Sequence, residues 1–305
     1  MTAQRDFDPY RGQIPAHWHG KPTVLRMALG SKLRRLREAS EVTREAAGYV
    51  IRGSSSKISR LELGRVSFKE RDVADLLTLY GVTDEQEREG FLALARQANA
   101  PGWWHKYGDV LPNWFETYLG LEQAASVIRT YEPALVPGLL QTEDYARAVI
   151  QLRHVQACAH DIERRVALRM ARQRFLTESG APYLWVALDE SALRRPLGNR
   201  AVQRAQLQHL IEMAQRPNIT LLVVPFHVGG PAAVGGPFTI LRFAAPGVPD
   251  VVYLEHLANA VYLDKERDTV GYLALMDSLC VEAESPDASI SFLRKIIDEL
   301  PWHPK

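Results

Sequence analysis

Six residues in one short stretch have the types and spacing to grip a polyanion: Arg44, Ser54, Ser55, Ser56, Lys57 and Arg60, within TREAAGYVIRGSSSKISRLELG (Thr43–Gly64). The stretch reads as two short helices joined by a tight turn. In the second helix Ile58 and Leu61 can face inward while Ser55, Ser56, Lys57 and Arg60 point elsewhere. A helix of this kind fits the major groove of B-DNA, which is wide enough for one helix. Short serines let the backbone approach the duplex, and Lys57 and Arg60 can reach phosphates or guanine edges. Arg44, at the start of the preceding helix, is placed for the phosphate backbone or an adjacent base. Glu62 repels phosphate, so its expected role is structural. An ion pair between Arg60 and Glu62, or plain solvated charge, is the competing reading of these side chains.

Other constellations carry less. Asp189 and Glu190, with Arg194 and Arg195 following at the end of a predicted strand, could do acid/base or metal work. Arginines on the next turn point instead to an ion-pair network. No Gly-x-Ser-x-Gly elbow is present, and Ser191 has no histidine nearby in sequence. The loop GGPAAVGGPF (229–238) lacks the GK[ST] ending of a phosphate loop and reads as a connection between strands. The histidines (His105, His154, His160, His209, His227, His256) form no HExxH and have no cysteine partners. His17, Trp18 and His19 could form a metal or minor-groove element, but they sit in a polar stretch that reads as a disordered arm. The expectation is no metal, no cofactor and no enzymatic activity.

These residues sit in a 305-residue chain that is 46% apolar and 24% charged, the composition of a globular protein of about two domains. No run of 18 apolar residues suggests a membrane span, and the first twenty residues lack the apolar core of a secretory signal. Two cysteines, Cys158 and Cys280, make no disulfide framework, which points to a reduced, cytoplasmic protein. The net charge of +1 hides an asymmetry. Between Val24 and Arg71 stand twelve Lys/Arg against five Asp/Glu, a net of +7, leaving about −6 on the remaining 257 residues. A small basic module joined to a mildly acidic body fits a nucleic-acid partner.

The elements that position the six residues follow from periodicity. Residues 1–22 read as a flexible arm. Leu25, Leu29, Leu33 and Leu36 form one stripe of a helix. Thr43 caps a second helix that buries Ala47, Val50 and Ile51, and Ser54 or Ser55 caps a third that runs to about Leu63 and stops at Gly64. Capping boxes at Ser67/Glu70 and Thr83/Gln86 open a fourth and a fifth helix; the fourth buries Val73, Leu76, Leu77 and Tyr80. Residues 23–97 thus form an all-α five-helix domain. Residues 98–112, with paired tryptophans, two prolines and two glycines, read as a linker that packs against something. Residues 113–305 read as a mixed α/β (α+β) domain, with helices at 114–127, 142–153, 160–178 and 199–215. Strands follow at 182–189, 218–226, 238–244 and 250–256, with a helical region over Lys265–Leu300.

The segment LGSKLRRLREASEVTREAAGYVIRGSSSKISRLELG resembles the helix-turn-helix domain of xenobiotic-response-element-type (XRE, lambda-repressor-like) regulators. Leu29-Gly30, Leu33, Leu36-Arg37, Thr43, Ala47 and the run Ser56–Glu62 with Gly64 carry the likeness. The spacing of Thr43, Ile58, Arg60, Glu62 and Gly64 is its specific part. Arg44 stands where the family has glutamine, which favours phosphate contact there. Arg52 occupies the usual turn glycine, with Gly53 next, so the turn is expected one residue later. Beyond it, YEPALVPGLLQTEDYARAV (131–149), ALRMARQRFL (167–176), LDESALRRPLG (188–198), VPFHVGGPAAVGGPFTILRF (224–243) and VVYLEHL (251–257) resemble WhiJ-like regulators of Streptomyces and related actinobacteria. The resemblance implies a transcription regulator that binds double-stranded operator DNA, often paired with a small BldB-like protein in an antitoxin-like arrangement. A homodimer follows from the mechanism, and the second domain is expected to dimerise, sense a small-molecule effector or bind a partner.

Overall fold

The structure, a computed structural model, describes residues 22–244 and 248–300. The expected arm, with His17, Trp18 and His19, lies outside the described residues apart from Pro22. The chain divides into two compact units, the first ending at Trp103 and the second beginning at Trp104.

The first unit is built from α1 (Pro22–Ala39), α2 (Arg44–Val50), α3 (Ser55–Glu62), α4 (Glu70–Leu79) and α5 (Glu85–Ala98). The α1 stripe buries Leu25, Leu29 and Leu33, and α1 packs on α3 and α5. The second helix packs on α3 and α4, and α4 on α5. Three local expectations need correction. Ser67 does not cap α4, which starts after Lys69 with no side-chain cap. Asn99 bonds both backbone groups of Phe68, accepting from its N–H at 2.9 Å and donating to its carbonyl, and this pins the chain in a non-helical path there. Asp84, not Thr83, caps α5 by accepting from Glu87 N at 2.7 Å, a carboxylate being the better partner for a helix N-terminus. Val50 stays 37% exposed, because on a two-turn helix only the face of Ala47 and Ile51 reaches the core.

A 3₁₀ turn (Trp103–Tyr107) spans the division, and the second unit continues with α6 (Asn113–Ala124), β1 (Val127–Glu132), α7 (Glu143–Arg153), α8 (Ala159–Gln173), β2 (Tyr183–Asp189), α9 (Glu190–Arg194) and α10 (Arg200–Ala214). Then come β3 (Ile219–Val224), α11 (Gly230–Val234), β4 (Phe238–Arg242), β5 (Val251–Glu255), β6 (Ala260–Leu263), α12 (Glu266–Glu282) and α13 (Pro286–Glu299). Residues 104–112, read as part of a linker, bury Trp104, Tyr107, Val110 and Leu111. Arg164 and Arg165 of α8 hold this segment through Asp109 and the carbonyls of Lys106 and Val110.

One six-stranded sheet, in the order β3-β2-β1-β4-β5-β6, organises this α+β unit. Pairs β3/β2 and β2/β1 are parallel; β1/β4, β4/β5 and β5/β6 are antiparallel. Strands β1 and β6 were not anticipated. The central β1 reads VIRTYE, and its two charged residues disguise it. Alternation sorts its side chains. Tyr131 joins Ala187, Phe238, Ile240 and Val252 in a core closed by Met276 and Leu279 of α12. Ile128, Thr130 and Glu132 take the opposite face, where Thr130 and Thr239 share a hydroxyl bond of 3.0 Å. There the Tyr118 ring of α6 lies tilted against that of Tyr253, centroids 4.0 Å apart, and α6 is tied to α8 by a buried two-point pair between Glu122 and Arg172.

Candidate nucleic-acid interface

Caps and one strained turn set the two helices of the motif. The Thr43 hydroxyl accepts from Ala46 N at 3.1 Å, and the Ser54 hydroxyl accepts from Lys57 N at 3.2 Å. Between them Arg52 itself takes the left-handed conformation (φ 51°), which corrects the expectation of a turn displaced to Gly53. Two C-terminal bonds fix this residue: Arg52 N–H donates to Tyr49 O at 3.0 Å and Gly53 N–H to Gly48 O at 2.8 Å. Gly48 is what lets the chain fold back so closely, since a Cβ there would lie 3.0 Å from Gly53 O. An arginine pays for this conformation where glycine would not. Arg52→Gly is therefore expected to stabilise the first unit by about 0.5–1 kcal/mol, measured by urea denaturation.

The structure gathers Ser54, Ser55, Ser56, Lys57 and Arg60 on α3, but their situations differ. Ser56 and Arg60 are exposed, and Arg60 Nε makes one long bond, 3.4 Å, to Ser56 O. Ser55 is half-buried, and the Ser54 hydroxyl is engaged by its cap. Lys57 turns onto α4 and donates to the buried Asp72 at 2.6 Å instead of reaching outward. Arg44 donates from Nε to Glu62 Oε2 at 3.1 Å while its side chain remains 41% exposed.

Glu62 is structural, as its charge implied, yet its partners are Arg37 and Arg44, not Arg60. Arg37 Nε donates to Oε1 at 2.5 Å and Nη2 to Oε2 at 3.2 Å, while Nη1 reaches Val42 O at 3.0 Å. The bond to Glu62 raises the Arg37 pKa above its ordinary value, and burial and the Glu62 charge push the Tyr80 phenol up. In the sequence analysis Arg37 stands only as part of the family likeness, with no buried role. The available signal was its register: it continues the Leu29, Leu33 stripe by one further turn. The exposed Tyr49 on α2 and the buried Asp72 were also missed. Asp72 likewise sits four residues before the buried Leu76.

The acidic pair of the second unit is engaged in structural bonds. Asp189 caps α9 by accepting from Ser191 N at 2.8 Å. Glu190 accepts from Arg194 at 2.5 Å and from Phe226 N at 3.0 Å, and Arg194 continues to Glu299. The Ser191 hydroxyl donates to Pro133 O. The glycine-rich loop joins β3 to β4 and contains the short α11. Among the described residues no group of three or more His, Cys, Asp or Glu side chains could hold a metal ion, and no helix is long and apolar enough to cross a membrane.

Comparison with known families bears on both units. A model described as a helix-turn-helix domain matches residues 28–90, which makes the first unit one of the DNA-binding regulator type. A second model, described as a domain of unknown function (DUF5753), matches residues 115–295. No curated protein and no solved structure matches the chain. With more than half of its length inside the second match, the chain belongs to the DUF5753 family, carried here behind a helix-turn-helix domain.

Proposed function

We propose that the protein is a sequence-specific transcription regulator that reads its operator with α3 in the major groove. The carrying observation is that α3 presents Ser56 and Arg60 to solvent while Ile58, Leu61 and Glu62 on its other side are buried against the first unit. Arg44, tethered to Glu62 yet still accessible, suits a phosphate contact better than a base contact. Lys57 has first to leave Asp72, so its share in binding is smaller than that of Arg60.

Fluorescence anisotropy on the protein's own upstream DNA, beside scrambled DNA and at several salt concentrations, tests this. Arg60→Ala is expected to weaken specific binding by about 10- to 100-fold and to make the salt dependence shallower by about one unit of slope. Unchanged affinity in that variant would remove α3 from the reading role.

The second unit is proposed to dimerise the protein and to carry its signal or partner site, with no catalytic role. The resemblance to WhiJ-like regulators supports this division, and a small BldB-like partner belongs to the same likeness. A two-fold dimer reads half-sites about 34 Å apart, which gives a single short recognition helix its specificity. Light scattering at micromolar concentration is expected to give the mass of a dimer; a monomer bound tightly to its operator counts against the arrangement.

A further inference from the structure

A cavity of about 810 Å³ lies within the second unit, on the sheet face that carries Ile128, Thr130 and Glu132. Its floor is the face of β1, β4 and β5, with Thr130, Thr239 and Tyr253 side by side, and α6, α7 and α8 supply its walls. The walls are largely apolar, with Trp114 and Phe115 of α6, Val149 of α7 and Leu168 of α8 among them. Leu152, 65% exposed, and Leu257, 83% exposed, extend this apolar lining.

Charge decides what such a cavity accepts. Four arginines line it, Arg153, Arg165, Arg169 and Arg172, against two glutamates, Glu132 and Glu255. Two of the arginines are matched by carboxylates: Arg172 by Glu122, and Arg153 by Glu255 at 2.5 Å. The other two stand at i and i+4 on α8, on one face of the helix. Both have only neutral partners within the cavity region. Arg169 donates to Gln141 Oε1 at 2.7 Å, and Arg165 donates to Val110 O at 2.6 Å while its buried Nε makes no hydrogen bond. Burial and the neighbouring Arg172 push Arg169 down to about 10, and the Glu255 carboxylate, already paired with Arg153, offsets only part of this. Glu132 offers it less compensation than an ordinary carboxylate, because burial and the nearby Glu255 raise its carboxyl to about 8. A cationic ligand meets the repulsion of these arginines and gains little from two of the nearby rings. The rings of Phe115 and Tyr118 already receive the Arg172 guanidinium, at 5.4 and 5.1 Å.

We propose that this cavity binds a small organic acid with an apolar, ring-sized body, its anionic group held by Arg169 and Arg165. Binding belongs to the second unit itself and stands whether or not α3 reads DNA.

Isothermal titration of the full chain at pH 7 with three matched probes tests the idea: naphthoate, naphthalenemethanol and naphthylmethylammonium. Naphthoate is expected to bind about 10- to 100-fold more tightly than the neutral alcohol, with the cation weakest. Arg169→Gln is expected to bring naphthoate to the level of the alcohol and leave the alcohol within about two-fold. If that variant melts at a lower temperature than the parent, Arg165→Met takes its place and is expected to narrow the same ratio about ten-fold. Equal affinities for the three probes, preference for the cation, or binding of none would each overturn the proposal.

Discussion

A Gly30→Ala variant is expected to lose about 3 kcal/mol of stability in the first unit and, with it, specific DNA binding. In an exposed helix interior the same change normally stabilises by about 0.5–1 kcal/mol. Here sterics reverse the sign. A Cβ on Gly30 would lie 2.4 Å from Leu61 O and 2.5 Å from Glu62 O, both backbone atoms in the last turn of α3. Neither can swing aside as a side chain does, so the whole recognition helix has to move away from α1. Gly64 makes the matching approach one residue past the α3 cap, with φ 65° and a notional Cβ 2.5 Å from Met27 N. The two glycines together clamp the C-terminal end of α3 onto α1. For a unit of roughly 80 residues a loss of this size lowers the melting temperature by more than about 10 °C, readable by calorimetry of the full chain. A variant as stable as the parent would show that α3 is not held by this contact.

Glu62→Ala is the second large effect, expected to cost about 3–5 kcal/mol in urea denaturation. The carboxylate is 4% exposed and Arg37 is 8% exposed, so removing it leaves a buried guanidinium with Val42 O and the more exposed Glu38 as its remaining acceptors. The penalty comes from a buried charge left with only the solvent-exposed Glu38 carboxylate rather than from the net strength of the pair. It follows that Arg37→Met combined with Glu62→Leu recovers most of the loss, since a buried ion pair and a well-packed apolar pair have similar net worth. A double variant as unstable as the single one would place the energy elsewhere. Arg44, released from Glu62 in both backgrounds, is then available to phosphate. The rescued protein is expected to keep non-specific affinity for DNA.

Much of the first unit was legible because its determinants are local. The Leu25, Leu29, Leu33 stripe, the caps at Thr43 and Ser54 and the stop at Gly64 each lie within one or two helical turns, and each appears in the structure. The positive φ at Arg52 was misplaced because residue type favours Gly53, whereas the bonds to Tyr49 O and Gly48 O fix which residue must bend. The second unit was legible as alternating helices and β-branched runs, but not as a sheet. Strand β1, whose register with β2 and β4 spans more than fifty and more than a hundred residues, carries Arg129 and Glu132 and shows no apolar run.

What the sequence determined by itself is therefore the type of the first unit and the set of residues proposed to meet DNA. The tertiary structure decided how those residues are used. It turned Lys57 onto Asp72, gave Glu62 to Arg37 and Arg44, and left Arg60 facing solvent. It also set Arg165 and Arg169 over a cavity that no spacing announces. The physical reason is range. Caps, stripes and glycine turns are fixed by neighbours a few residues away, whereas the partner of a buried charge is chosen by whichever distant side chain the packed fold brings within a few ångströms.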